Sequence, residues 1–271
     1  MATITREEII KALQERGFTA EATDIEKNNV ICHGIQIGQD RIAPVIYTDE
    51  IIREAEKNGT PLKNIVNDII TIYEANSTPA IDLEELQKRS YIMDHVRIGL
   101  QRNTGEEIIK RACPLDEAIE EYLYITLDMG EGVGTIKIKA GMLETAGIGE
   151  PEAWTQAENN TFSDTTVEDI SVIIQAFGMP TAGDSGIYIV SNKGRCRGAA
   201  AVLNKKALQE IGDRHHTKKL VVIPSNIHEC LVLPEVEMMD ISALTDTVIS
   251  VNASAVDPVE QLADKAYIIT L

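Results

Sequence analysis

Apolar residues at positions 9, 10 and 13 line one side of the segment "REEIIKALQER", and Thr5 followed three residues later by Glu8 supplies a capping box. The spacing predicts a helix from Arg6 to Arg16 that stops near Gly17. The pattern then changes to β-branched runs across "FTAEATDIEKNNVICHGIQIGQDRIAPVIYTDE", broken at Asn28-Asn29 and at Gly38 to Asp40. That punctuation predicts a meander of three antiparallel strands. Helices are expected at Glu50 to Lys57 and, after Thr60-Pro61, at Leu62 to Ala75, where Ile65, Ile69, Ile72 and Tyr73 repeat with helical spacing.

Small and polar residues in "ANSTPAID", Ala75 to Asp82, make the best linker in the chain. Residues 1–271 therefore read as one α+β unit with a possible N-terminal subdomain at 1–78 and a C-terminal one at 83–271. Beyond the linker, "LEELQKR" predicts a short helix, "SYIMDHVRIGLQR" a strand and Glu106 to Ala112 a helix. "LDEAIEEYLYITL" and "TIKIK" read as strands joined by the glycine turn "GEGVG", although the acidic start of the first suits a helix equally. "GMLETAG", "EPEAWTQAENN" and "VEDISVIIQAF", the last capped by Asp164 or Thr165, predict helices. In the last third, "GIYIVSN" pairs with "GAAAVLN" and "KLVVIP" with "ECLVLP" as strands, and "KKALQEIGDRH" is a helix. Asp240 caps a helix over Ile241 to Val251, Pro258 opens a short one, and "AYIITL" is a closing strand. Hairpins alternating with helices imply α+β, with a largely antiparallel sheet covered by helices.

Composition narrows the chemistry. The chain has 271 residues, 44% hydrophobic and 25% charged, with a net charge of −18. That sign argues against direct nucleic-acid binding, because a phosphate footprint needs clustered cations. The acid is spread over "EEII", "IDLEELQKR" and "LDEAIEEY", a pattern of solvated helix faces; gathered on one face, it would instead make a nucleic-acid mimic. Cys32, Cys113, Cys196 and Cys230 lie far apart without C-x-x-C spacing, as expected for reduced, partly buried thiols in a cytoplasmic protein. The start, "MATITREEIIKALQERGF", carries charges where a signal peptide needs an apolar core, and no apolar run reaches the roughly 18 residues of a membrane span.

Four motifs suggest chemistry. "GDSG", Gly183 to Gly186, matches the nucleophile tetrapeptide of trypsin-like proteases, but a strand follows and the chain is too helical for that fold, so a turn is expected. "GEGVG" lacks the helix that a dinucleotide loop requires. "HECLV" at His228 has half of a zinc-protease motif, with valine at 232 where the second histidine belongs, and the adjacent His215 and His216 point apart. No metal and no cofactor are expected. In "VVIPSNIHECLVLPE", Ser225 lacks the glycines of a nucleophile elbow, and a resumed strand sends His228 and Glu229 to opposite faces. Ser225 with His228 across the turn is the geometrically cheap catalytic pair; a polar turn or binding loop is the favoured reading.

"NVICHGIQI" with "IAPVIYTDE", then "IVNDIITIYE", "IYIVSNKGRCRGAAAVLNKKALQEI" and "VVIPSNIHECLVLPE" together resemble a bacterial family, domain of unknown function 5688. The similarity runs from about Ile25 to the C-terminus, except for Asn103 to Thr165, and Asn226 stands where such proteins usually have serine. A fainter similarity links the last third to domain of unknown function 1444. The resemblance implies a cytoplasmic bacterial protein, often in the company of mobile elements, and supplies no activity, cofactor or catalytic residue. It points to His33-Gly34, to Ser191-Asn192-Lys193 and to Ser225, Asn226, His228 and Glu229 as surface sites. The leading expectation is a non-catalytic binding or accessory protein with a protein partner of unknown identity; the alternatives are a hydrolase using Ser225 and His228, and an acidic decoy.

Overall fold

The computed structural model describes residues 4–38, 44–76, 84–128, 133–180, 183–237 and 239–271. Its contacts divide the chain into two compact units, Met1–Ile81 and Asp82–Leu271. Residues 77–82 of the expected linker lie outside the described residues.

In the first unit, α1 (Arg6–Glu15) starts at the expected capping box: Thr5 Oγ1 accepts from the Glu8 N–H at 3.2 Å and Glu8 Oε2 accepts from the Thr5 N–H at 2.9 Å. Strands β1 (Ala20–Lys27), β2 (Val30–Ile37) and β3 (Val45–Tyr47) form the antiparallel meander. Asn28 and Asn29 both take positive φ, 51° and 65°, the geometry of a tight hairpin turn and one asparagine tolerates. Helices α2 (Asp49–Asn58) and α3 (Leu62–Asn76) complete it. Ile9, Leu13, Ile35, Ile37, Ile65, Val66 and Ile69 form its core.

The second unit holds two antiparallel sheets. Helix α4 (Arg89–His95) leads into β4 (Val96–Arg102), β5 (Lys110–Cys113), β6 (Asp116–Asp128) and β7 (Val133–Lys137); β6 pairs with the other three. Consecutive side chains on a strand point to opposite faces, so the unbroken burial from Ile119 to Ile125 means that both faces of β6 are covered. After α5 (Ala140–Ala146) and α6 (Glu150–Ser163) come β8 (Thr165–Asp169), α7 (Ile170–Ala176), β9 (Tyr188–Asn192), a 3-10 helix (Gly198–Leu203), α8 (Lys205–Arg214), β10 (Lys219–Asn226), β11 (Glu229–Pro234), α9 (Ile241–Ala255) and β12 (Tyr267–Thr270). The second sheet has the order β12-β10-β11-β9-β8. The fold is α+β, as the alternation of hairpins and helices implies. "GDSG" is a turn into β9, with Asp184 accepting from the Gly186 N–H at 2.9 Å.

Several local expectations are corrected. "GAAAVLN" is not the strand partner of β9: Gly198 to Val202 are buried in the 3-10 helix, and β9 pairs with β8 and β11. A short run of small apolar residues does not distinguish the two states by period. "SYIMDHVRIGLQR" splits into α4 and β4, and the helix expected over Glu106 to Ala112 gives way to β5. "VEDISVIIQAF" begins in β8, because Thr165, Thr166 and Val167 pair with β9, and Asp169 caps α7 through the Ser171 N–H at 2.7 Å. "LEELQKR" contains only a 3-10 turn at Glu85–Gln87, and Pro258 opens a turn. Gly130 to Gly132 of "GEGVG" lie outside the described residues, and Val133 and Gly134 begin β7, which pairs with β6.

Candidate functional site

The β10–β11 hairpin closes on a two-residue tip, Ile227 and His228, flanked by the pair Asn226↔Glu229. Asn226 builds that tip: its Oδ1 accepts from the N–H of His228 at 2.7 Å and of Glu229 at 3.1 Å. Replacing Asn226 by alanine leaves both donors without their acceptor and is expected to lower stability by about 1 kcal/mol, whereas Asn226→Ser keeps an oxygen and loses less. Urea unfolding followed by fluorescence of the single tryptophan, Trp154, measures this; equal midpoints for the two variants would contradict it.

Three segments converge on the tip. The Ser191 hydroxyl at the end of β9 donates to the His228 carbonyl at 2.8 Å. In the loop that follows, Asn192 clamps Cys196 by both backbone groups: its Oδ1 accepts from the Cys196 N–H at 3.1 Å and its Nδ2 donates to the Cys196 carbonyl at 2.8 Å. Arg197, at φ 51°, turns its N–H onto His228 Nδ1 at 3.0 Å. From the third segment, the Glu260 carbonyl accepts from the Ile227 N–H at 2.8 Å, which brings Glu260 Oε1 to 3.3 Å from His228 Nε2. Since Nδ1 accepts, the ring proton of neutral His228 lies on Nε2, toward the carboxylate.

The neighbouring His228 holds the Cys196 thiol below its ordinary pKa, opposed by burial and aided by the charge of Arg197. His228 is raised in turn by Cys196 and Glu260, against burial. The Arg197 guanidinium anchors the loop inward, donating to the buried Tyr122 hydroxyl at 2.7 Å and to Thr135 Oγ1 at 3.1 Å.

Of the residues singled out in the sequence, Asn192, Asn226 and His228 thus meet in one cluster. Glu229 lies 3.7 Å from Arg195, and exposed Lys193 is 3.8 Å from Asp164. Ser225 lines a small apolar pocket of about 140 Å³ with Leu231, Leu244 and Val248, whose lining does not include His228. Among the described residues no hydrogen bond joins Ser225 to an imidazole; His228 meets the Arg197 N–H and Glu260 instead. Glu260 stands 32 residues from His228, and no local pattern announces it. His33 belongs to the first unit, exposed on β2, with Nδ1 at 3.0 Å from Asp24 Oδ1.

A second feature has no sequence signature. A cavity of about 950 Å³ opens in the second unit between Ile98, Phe162, Leu208 and Ile269, with Arg111, Glu121 and Glu158 in its wall. Arg111 stacks on Trp154 at 4.1 Å, and its Nε and Nη2 meet Glu121 Oε2 at 2.8 and 2.7 Å. Nη2 also meets Glu158 Oε1 at 2.8 Å. Burial raises the Glu121 carboxyl, and Arg111 counteracts this.

Fold and sites define a two-unit α+β protein with a histidine-centred hairpin tip and a separate cavity. The chain belongs to the family of unknown function DUF5688, whose family model matches residues 3–269. No curated protein and no solved structure matches it. Among the described residues no helix is long and apolar enough to cross a membrane, and no three His, Cys, Asp or Glu side chains are grouped to hold a metal ion.

Proposed function

We propose that this chain is a non-catalytic binding protein whose second unit receives a small molecule with an apolar body and an amine. The cavity carries this reading: about 950 Å³ falls in the range of small-molecule sites, about 300–1,000 Å³. Its polar wall favours a cation. One guanidinium faces two carboxylates, which leaves one negative charge uncompensated, and both contacts of Arg111 with Glu121 end on Oε2, so Oε1 is left to another donor. Lys205 and Lys206 also line the cavity but are exposed, where water screens them more than it screens buried Glu121.

Calorimetric titration with hexylamine, hexanol and hexanoate tests the assignment. Hexylamine is expected to bind most tightly, and Glu158→Gln to weaken it about fivefold, the effect of losing a partly exposed ion pair. Hexanoate binding as tightly as hexylamine overturns the amine class; no heat from any of the three at millimolar concentration overturns the binding role of the cavity.

A further inference from the structure

The cavity wall carries charge of both signs on different elements. Glu121 of β6 and Glu158 of α6 share the Arg111 guanidinium of β5, at 2.7 and 2.8 Å. Lys205 and Lys206 line the same cavity from the first turn of α8. Among the described residues neither lysine side chain has a hydrogen bond or an ion pair. The chain has 43 Asp and Glu against 25 Lys and Arg, so carboxylate partners are plentiful and these two cations stand apart from them. Their position is also unfavourable for the helix. A helix N-terminus is positive, and no acidic residue in the first turn of α8 offsets the lysines. The backbone there needs no anion, since Asn204 Oδ1 accepts from the N–H of Lys206 at 3.2 Å and of Ala207 at 3.3 Å; the unpaired charge is that of the side chains. The rest of the wall is largely apolar, with Ile98, Phe162, Val202 and Leu208.

We infer that the cavity receives an ω-amino acid, a primary amine and a carboxylate joined by an apolar chain, which rests on the amine reading of the cavity and adds the other end of the ligand. The amine meets Glu121 and Glu158, where Glu121 Oε1 is left to a further donor. The carboxylate meets Lys205 and Lys206, with the positive end of α8 behind them. This second pole is the weaker, because both lysines are exposed and screened by water. The two charges of the ligand have to be far apart. A carboxylate beside the amine, as in an α-amino acid, would lie against two glutamates that already share the one guanidinium.

The test titrates the full chain calorimetrically with γ-aminobutyrate, δ-aminovalerate and ε-aminocaproate, each against the alkylamine of the same length, butylamine, pentylamine or hexylamine. At the length that spans the two poles, the amino acid is expected to bind about fivefold tighter than its alkylamine, the effect of adding partly exposed ion pairs. Norleucine, an isomer of ε-aminocaproate with both charges at one end, is expected to bind more weakly than hexylamine. Lys205→Gln combined with Lys206→Gln is expected to erase the advantage of the amino acid and to leave alkylamine binding unchanged. Taking cations away from the positive end of α8 does not destabilise the helix, so the variant keeps its fold. Alkylamines that bind while no amino acid surpasses its partner overturn the inference and leave the amine reading standing. An advantage that survives in the double variant, or norleucine binding as tightly as ε-aminocaproate, does the same. Absence of heat from alkylamines and amino acids alike at millimolar concentration overturns both.

Discussion

Gly198→Ala is expected to destabilise the second unit by about 3 kcal/mol, at the upper end of what overpacking costs. A methyl at this position would lie 2.4 Å from the Ser191 hydroxyl, 2.6 Å from the Asn192 backbone nitrogen and 2.7 Å from the His228 carbonyl oxygen. Two of those atoms belong to backbone, so the clash is relieved only by backbone movement of the 3-10 helix, β9 or the hairpin tip, which strains the Ser191-to-His228 hydrogen bond of 2.8 Å and the Asn192 clamp on Cys196. Trp154, the only tryptophan, lies in the second unit and reports its unfolding in urea. Gly141→Ala is the control: it sits in α5 with nothing within 4 Å of the added methyl, and is expected to be neutral or to gain up to about 1 kcal/mol from helix propensity. Equal midpoints for the two variants would show that β9 and the hairpin tip do not require that close approach.

Arg111→Met is expected to cost about 3 kcal/mol at pH 8, because it leaves the buried Glu121 carboxylate without its cation. The sign of the pH dependence follows from linkage. Burial raises Glu121 above its ordinary value in the folded state, so the native protein binds more protons than the unfolded chain between the ordinary and the raised value. Stability contributed by this group therefore falls as pH rises through that window. Removing Arg111 takes away the interaction that counteracts the rise, which widens the window and deepens the loss. The cost of the substitution should be clearly smaller at pH 5 than at pH 8 when unfolding is followed by circular dichroism. A loss of equal size at both pH values would mean that Glu121 does not titrate in this range.

Local signals carried much of the fold. The Thr5/Glu8 box, the Asn28-Asn29 turn and the Ile65/Ile69 stripe lie within single elements, where backbone chemistry decides the outcome with little outside help. Local signals mislead where a neighbour decides. Gly198 to Val202 are small and apolar enough for a strand, yet the close approach of Gly198 to Ser191 and His228 suits the 3-10 turn in which they pack. Thr165 to Val167 have strand propensity, but the helical stripe that follows them masks it until β9 offers an edge to pair with.

The sites divide in the same way. Asn192, Asn226 and His228 were legible because polar residues that punctuate apolar strands mark turns. Their chemistry was not. Cys196 sits in a loop whose positive φ values at Arg195 and Arg197 aim the chain back at the hairpin, and Glu260 arrives through a backbone hydrogen bond to Ile227. The cavity wall draws Arg111, Glu121 and Glu158 from two strands and a helix. By itself the sequence determined the α+β class, most of the turns, the acidic balance and the location of the hairpin tip, since these depend on periodicity, composition and short-range backbone preference. Only the tertiary structure decided that His228 meets the Arg197 N–H and Glu260 while Ser225 lines an apolar pocket, because groups distant along the chain are brought together by the packing of strands and loops, which leaves no spacing to read.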